Sequence, residues 1–460
     1  MDTKDMMKRL VEPESVAIVG ATRKTGEFAL NLVQHLLAYG YSGKIYPVNP
    51  NASEISGVRA YHSVGEIDAH IDQAVIMTPR EAVPGVLKEC ADKGIACAAV
   101  VAQGFNDAGD KEGKELNRQM KDVIRDTGIR VLGPNTFGIA NGFINFSSSF
   151  AQIRLDKVPI GIICQSGTFF HGFPEIRLVG KGIDIGNACD IGFIESLEYF
   201  ENDPQVKVIG LHIEGINDTK RFLETARRIS SKKPIIALKT GKSDRAAKAM
   251  QSHTGSLAGN TLLWDSALKS AGIIRVNDME EFYDIVRLFA ITPLMKNNRI
   301  AVATYSGAAG IMTMDALQGS GVEIGELPSQ TAQKLKDIAP PWLHVGNPVD
   351  FWPIMQAAPN QGIAMRDIMD ILLSDDELGG VMFLQLAFTD RTAEGLRMFL
   401  NYISSKYPDK PFISAIPGPS DVQCITGLQQ DGKHVAYPTP ERAARAFSRL
   451  WQYSRLRNGF

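Results

Sequence analysis

Along most of the chain, short runs of β-branched and other apolar residues alternate with longer stretches whose apolar positions recur every three or four residues. That alternation predicts strand–helix units stacked into parallel sheets: a strand buried on both faces reads as a continuous apolar run, and its covering helix as an amphipathic one. In the first third the predicted strands are 15–21 (SVAIVGA), 44–50 (KIYPVNP), 73–78 (QAVIMT), 97–102 (CAAVVA) and 130–133 (RVLG), which together make an open doubly wound sheet. A second series follows a polar connector at 151–159 and comprises 160–165 (IGIICQ), 206–215 (VKVIGLHIEG) and 234–241 (PIIALKTG). A third follows 293–298 (PLMKNN) and comprises 299–307, 379–388 and 410–416. The expected class is α/β in three modules, 1–150, 151–295 and 296–460, which accounts for the 460 residues.

The second and third modules open alike. PIGIICQSGTFFHG (159–172) and RIAVATYSGAAGI (299–311) each run from strand through Ser-Gly into a helix start, the mark of a duplicated unit. A Ser-Gly at such a turn lets backbone approach a ligand closely and aims free N–H groups and the positive helix end at it, so each turn suits an anion. An ordinary tight turn is the alternative.

The first module carries a different glycine loop, IVGATRKTGEFA (18–29), with Gly20 ending the first strand and Gly26 opening the next helix. The spacing is not G-x-G-x-x-G, and YPVNPN places Asn49 and Asn51 where a dinucleotide site has an Asp or Glu for the ribose diol. A nicotinamide cofactor is disfavoured. Arg23 and Lys24 instead suit a ligand richer in phosphate, such as the 3′-phospho-ADP part of coenzyme A. A last outlier is MQSHTGSLAG (250–259), where His253 sits among small residues with almost nothing apolar to pack against. It reads either as an exposed loop histidine or as a nucleophile with room around it.

Composition narrows the alternatives. Hydrophobic residues at 44% and charged residues at 22% are those of a globular protein, and no apolar run approaches the roughly 20 residues needed to span a bilayer. The N-terminus shows no leader pattern, so a cytoplasmic location is expected. Five cysteines without C-x-x-C or zinc-ligand spacing read as reduced and buried, with no metal site implied. A net charge of −2 and no basic stripe argue against nucleic acid as a partner.

Taken together, PESVAIVGAT, IYPVNPN, RVLGPNTFGI (130–139), CQSGT (164–168), YFENDPQVKVIGLHIEGI (199–216), KKPIIALKTGKS (232–243), SHTGSLAG (252–259) and VGNPVDF (345–351) resemble the α subunits of the NDP-forming acyl-CoA synthetases. These are the relatives of succinyl-CoA synthetase and ADP-forming acetyl-CoA synthetase. The resemblance implies an N-terminal Rossmann-like CoA-binding domain followed by two flavodoxin-like ligase domains. It implies that His253 is phosphorylated on a loop that moves between sites, and that Glu214 holds the other ring nitrogen. It places coenzyme A on Gly20, Thr22, Arg23, Thr25, Asn49, Pro50, Gln103 and Gly104, and phosphate on Ser166, Gly167 and Thr168 with Ser306, Gly307 and Ala308. The implied reaction interconverts acyl-CoA, ADP and phosphate with carboxylic acid, CoA and ATP through an acyl phosphate.

Phe169, Phe170 and His171 depart from the smaller residues usual after the first Ser-Gly, and the loops 184–192 and 305–310 also differ from those of the relatives. His171 falls where the succinate enzymes carry a substrate-facing tyrosine, which allows an aromatic-lined acid pocket; the alternative is that both Phe side chains are core. Neither a Walker loop nor a two-lobed nucleotide module is present in the sequence. The expectation is a separate ATP-grasp β subunit binding ATP or ADP with magnesium, in an α2β2-type hetero-oligomer. Two other readings stay open: a non-catalytic CoA-binding or regulatory protein, and an NAD(P)-dependent dehydrogenase.

Overall fold

The computed structural model of the protein describes residues 2–26, 29–171, 178–241, 243, 245 and 261–459. They divide into two compact units, Met1–Phe282 and Tyr283–Phe460. The first unit holds two sheets. In one, five parallel strands lie in the spatial order Lys44–Val48, Ser15–Val19, Gln73–Ile76, Cys97–Val100, Arg130–Leu132. In the other, the parallel strands run Ile274–Val276, Ile235–Lys239, Val208–Ile213, Ile160–Cys164, Lys181–Asp184. Antiparallel Gly138–Asn141 and Phe146–Ser147 extend its edge. The second unit repeats the plan with Val349–Asp350, Ile300–Thr304, Gly380–Leu384, Phe412–Ala415 and Val435–Tyr437.

Numbered along the chain, the parallel strands of each sheet lie in the same order, 2-1-3-4-5. In that arrangement the connections leave strands one and three on opposite faces, and a crevice opens outside their carboxyl ends. Every predicted strand is present but shorter than its apolar run: 206–215 contracts to Val208–Ile213, for example. The trimmed residues, Gly20, Gln165 and Glu214 among them, lie just past the carboxyl ends of their strands, where the crevices are.

Several elements differ from the sequence pattern. Lys181–Asp184 is a buried strand that opens on a charged residue. Its lysine, 0% exposed, donates to Glu12 Oε1 and Asp203 Oδ2, each at 2.6 Å, and to the Tyr199 hydroxyl at 3.2 Å. Pairing makes a buried cation tolerable there. The segment 138–147 lies within the expected first module yet pairs into the second sheet. The N-terminal helix Thr3–Val11 also crosses over: Met6, Met7, Leu10 and Val11 are buried in one core with Phe193, Leu197 and Phe200 of helix Phe193–Asn202. Asn141 Nδ2 donates to the carbonyl of Val11 at the end of that helix, 3.0 Å away.

Candidate active site

The crevice of the second sheet lies between Ile160–Cys164 and Val208–Ile213, which pair directly. Gln165 follows one strand and Glu214 the other. The backbone N–H groups of Glu214 and Gly215 both donate to Gln165 Oε1, at 2.7 and 3.0 Å. On the other side of the same residue, Lys239 Nζ donates to the carbonyl of Glu214 at 2.9 Å and to that of Thr240 at 2.5 Å. The main chain of Glu214 is therefore fixed from both sides, which sets where its half-buried carboxylate starts.

The groups around it are electrostatically strained. Burial pulls the Lys239 ammonium down to about 8 although the nearby Glu214 charge opposes this. Burial, with the charge of Lys239, pulls His212 down to about 4, so its imidazole is neutral near pH 7. Asp184, 1% exposed, is raised to about 7: burial is the main cause and the charge of Glu214 adds to it, against N–H donation from Phe137 and Gly186. Three titratable side chains thus stand displaced around Glu214, a pattern that clusters at functional sites.

The Ser-Gly turn stands beside them. Ser166 Oγ donates to Thr168 Oγ1 at 3.1 Å, and Ser166 is half-buried while Thr168 is exposed. A Cβ on Gly167 would come within 2.2 Å of the Phe137 ring, so only glycine lets the turn close there. Phe169 and Phe170, which follow it, are core residues at 4% and 6% exposure. Phe169 stacks on His212 with centroids 4.4 Å apart and meets Phe282 edge-on. The two rings belong to the interior. The side chain of His171 and all of His253 with its neighbours lie outside the described residues.

In the second unit, Ser306 is the N-cap residue of helix Gly307–Leu317, and its side chain caps nothing. The first N–H groups of a helix have no intrahelical acceptor. Gly307 and Ala308 are exposed at this end, at the carboxyl edge of Ile300–Thr304.

In the first sheet the crevice lies beyond Ser15–Val19 and Gln73–Ile76. Gly20 has φ +85°, and a Cβ there would meet the Met77 carbonyl at 3.0 Å, so the loop passes close over the neighbouring strand end. Thr22 Oγ1 accepts from the Lys24 N–H, while Arg23 and Thr25 are exposed. Asn49 Nδ2 donates to the Ala21 carbonyl at 2.8 Å and its Oδ1 accepts from the Asn51 N–H, so this asparagine ties the second strand's end to the glycine loop; Pro50 beside it is exposed. Gln103 is exposed, and Arg80 spans from Gly104, whose carbonyl it binds at 2.7 Å, to Glu112 at 2.6 Å.

A cavity of about 450 Å³ opens between the two sheets of the first unit, reaching Gln165 and Gly215 on one side and Asn117 of helix Lys111–Thr127 on the other. Sequence reasoning missed it, because one helix face, Asn117 and Lys121, meets loops and helix starts far away in sequence. Asp184 and Lys239 were also missed as site residues. Their only signal was a charged residue closing an otherwise mostly apolar strand.

The folds and residues together define a CoA-binding module joined to succinyl-CoA-ligase-type modules. Residues 14–142 match the family described as CoA binding domain, and 157–289 the family described as succinyl-CoA ligase like flavodoxin domain. Among curated relatives, the alpha subunit of acetate–CoA ligase [ADP-forming] I of Pyrococcus furiosus is 33% identical, with 98% of each chain covered. The acetate–CoA ligase [ADP-forming] of Methanocaldococcus jannaschii is 34% identical over 98% of this chain, but this chain spans only 64% of that protein's length. Among solved structures, acetyl-coenzyme A synthetase 1 of Candidatus Korarchaeum cryptofilum, in complex with phosphate and ADP, superposes with a TM-score of 0.90 at 29% identity, covering 99% of this chain and 98% of that one. The chain belongs to the ADP-forming acyl-CoA synthetase family. Among the described residues no helix is long and apolar enough to cross a membrane.

Proposed function

We propose that this chain is the CoA-binding, phosphohistidine-bearing subunit of an ADP-forming acid–CoA ligase. The observation that carries the reading is Glu214, held on both sides of its peptide by Gln165 and Lys239 at the crevice of the second sheet. A carboxylate so fixed can accept the N–H of an imidazole and leave the other ring nitrogen as nucleophile, stabilising the cation that forms on phosphorylation.

In the direction of ATP synthesis, an oxygen of phosphate attacks the thioester carbonyl. The C–S bond breaks, CoA leaves as thiol, and an acyl phosphate remains. His253 then attacks phosphorus, the P–O bond to the acyl group breaks, and the carboxylic acid departs. ADP takes the phosphoryl group from the histidine. Ser166, Gly167 and Thr168 in the first unit, and Ser306, Gly307 and Ala308 in the second, are the positions proposed to contact phosphate, through hydroxyl and backbone N–H donors. Gly20, Thr22, Arg23, Thr25, Asn49, Pro50, Gln103 and Gly104 are proposed to surround coenzyme A, with Asn49 shaping the glycine loop. His171 is proposed as a substrate-side residue. The nucleotide, with its magnesium, is assigned to a separate ATP-grasp subunit; the Pyrococcus furiosus relative's designation as a subunit alpha, at matching length, supports this.

The test combines the chain with an ATP-grasp partner, ATP, CoA and a panel of acids. ADP release and acid-labile, alkali-stable phosphate on this chain are expected, and both disappear in His253→Asn. Ligation that persists in that variant refutes the proposal.

A further inference from the structure

From the cavity beside Glu214 we infer the class of acid this chain takes: one longer than acetate whose far end carries a neutral hydrogen-bonding group, a hydroxyl or an amide. The inference rests on the ligase reading, because that reading puts the reacting carboxyl at Glu214.

At about 450 Å³ the cavity falls within the range of whole ligand sites, far more than a two-carbon acyl group fills. Gln165 and Gly215, which line it, are the residues that flank Glu214 at the strand ends. An acyl group that reacts there extends into this space.

What the tail meets is set by the far wall. Asn117 is 7% exposed and lines the cavity, and its side-chain amide has no hydrogen-bond partner among the described residues. An amide that faces an open cavity is hydrated there, so a ligand group that displaces that water must both donate and accept to replace it. Asn106 and Asn217, both exposed, add two more amides to the lining.

Charge decides between a neutral and an anionic tail. Lys121 and Arg221 line the cavity, but so do Asp190, Glu195 and Asp218. Each of those carboxylates already accepts a bond from the chain: Asp190 from Arg130 and the Val131 N–H, Glu195 from the Gly192 N–H, Asp218 from the Arg221 N–H. With Arg130 on Asp190, the three carboxylates are balanced by three cations, so no excess of positive charge is left to hold a second carboxylate on the substrate.

The experiment measures binding of free CoA and of butyryl-, γ-hydroxybutyryl- and succinyl-CoA to the full chain by calorimetry. The three acyl groups share one length and differ at the tip. The hydroxyl-tipped thioester is expected to bind about tenfold more tightly than the other two, the worth of one well-made hydrogen bond. That advantage disappears in Asn117→Leu and shrinks in the surface variant Asn217→Ala, while affinity for free CoA is unchanged. Equal binding of all three thioesters overturns the inference. So does an Asn117→Leu chain, or a folded Asn217→Ala chain, that loses affinity for free CoA as much as for the thioesters, which gives the cavity to the thiol arm of CoA. Failure of the wild-type chain to bind CoA at all removes the ligase reading itself, on a separate observable.

Discussion

Replacing Lys181 with methionine keeps the length of the side chain and removes its charge. In the native protein the ammonium is 0% exposed and lies 2.6 Å from two carboxylates, Asp203 at 4% exposure and Glu12 at 29%. The variant leaves the buried Asp203 carboxyl without its cation, and breaking such a buried pair costs about 3–5 kcal/mol. Because helix Thr3–Val11 leads into Glu12, the loss should fall on the junction between the first two modules.

The assay uses fluorescence. With Trp342, Trp352 and Trp451 changed to Phe, Trp264 is the single tryptophan and lies in the first unit. Guanidinium unfolding read at Trp264 should lose about 3–5 kcal/mol at pH 7. The deficit should also depend on pH. Burial pushes the Glu12 carboxyl up, but hydrogen bonds from Lys181 and Tyr199 and the charge of Lys181 outweigh it, so Glu12 titrates below its ordinary value of 4.5. A depressed folded pKa contributes stability that is complete above the unfolded value and lost as pH falls through the folded one. Wild type therefore loses this contribution on acidification and the variant does not, so their difference narrows below about pH 4. A deficit under about 1 kcal/mol at pH 7, or one that does not change with acid, refutes the reasoning.

Three further outcomes follow from the site. Gln165→Leu strips the shared acceptor from the N–H groups of Glu214 and Gly215. The yield of acid-labile phosphate on the assembled enzyme should drop about 100-fold, as for a misplaced catalytic group, with CoA affinity unchanged in calorimetry. Asp184 is raised from 3.8 to about 7, so its contribution to stability is complete below about pH 4 and lost as pH rises through 7. Asp184→Asn should flatten that part of the stability profile, and an unaltered slope in denaturant titrations at pH 5, 6, 7 and 8 would contradict the assignment. Phe169→Ala, at a core position, should cost about 3–5 kcal/mol at the Trp264 transition while leaving the order of acyl-CoA affinities as in wild type.

The sequence pattern made the α/β class and eleven strands legible because parallel strands buried on both faces are written as unbroken apolar runs. It failed where burial was achieved by other means. Lys181–Asp184 begins and ends on charges that the fold neutralises or protonates, so no hydropathy signal survives. Val349–Asp350 and Val435–Tyr437 are too short to register a period. Glu214 was legible through a family motif and the strand that ends before it. The hands that hold it were not: Gln165 and Lys239 are 49 and 25 residues from it and meet it only through strand pairing.

The crossing of the N-terminal helix also bears on how the chain is made. Met6, Met7, Leu10 and Val11 are synthesised well ahead of much of their seat, which is built from Phe193, Leu197 and Phe200, nearly two hundred residues later. At about 5–20 residues per second, the nascent first sheet waits on the order of ten seconds or more with an oily strip uncovered. Expression of residues 1–150 alone would make that interval permanent, and the fragment should come out of cells sticky or chaperone-bound where the longer piece 1–282 does not.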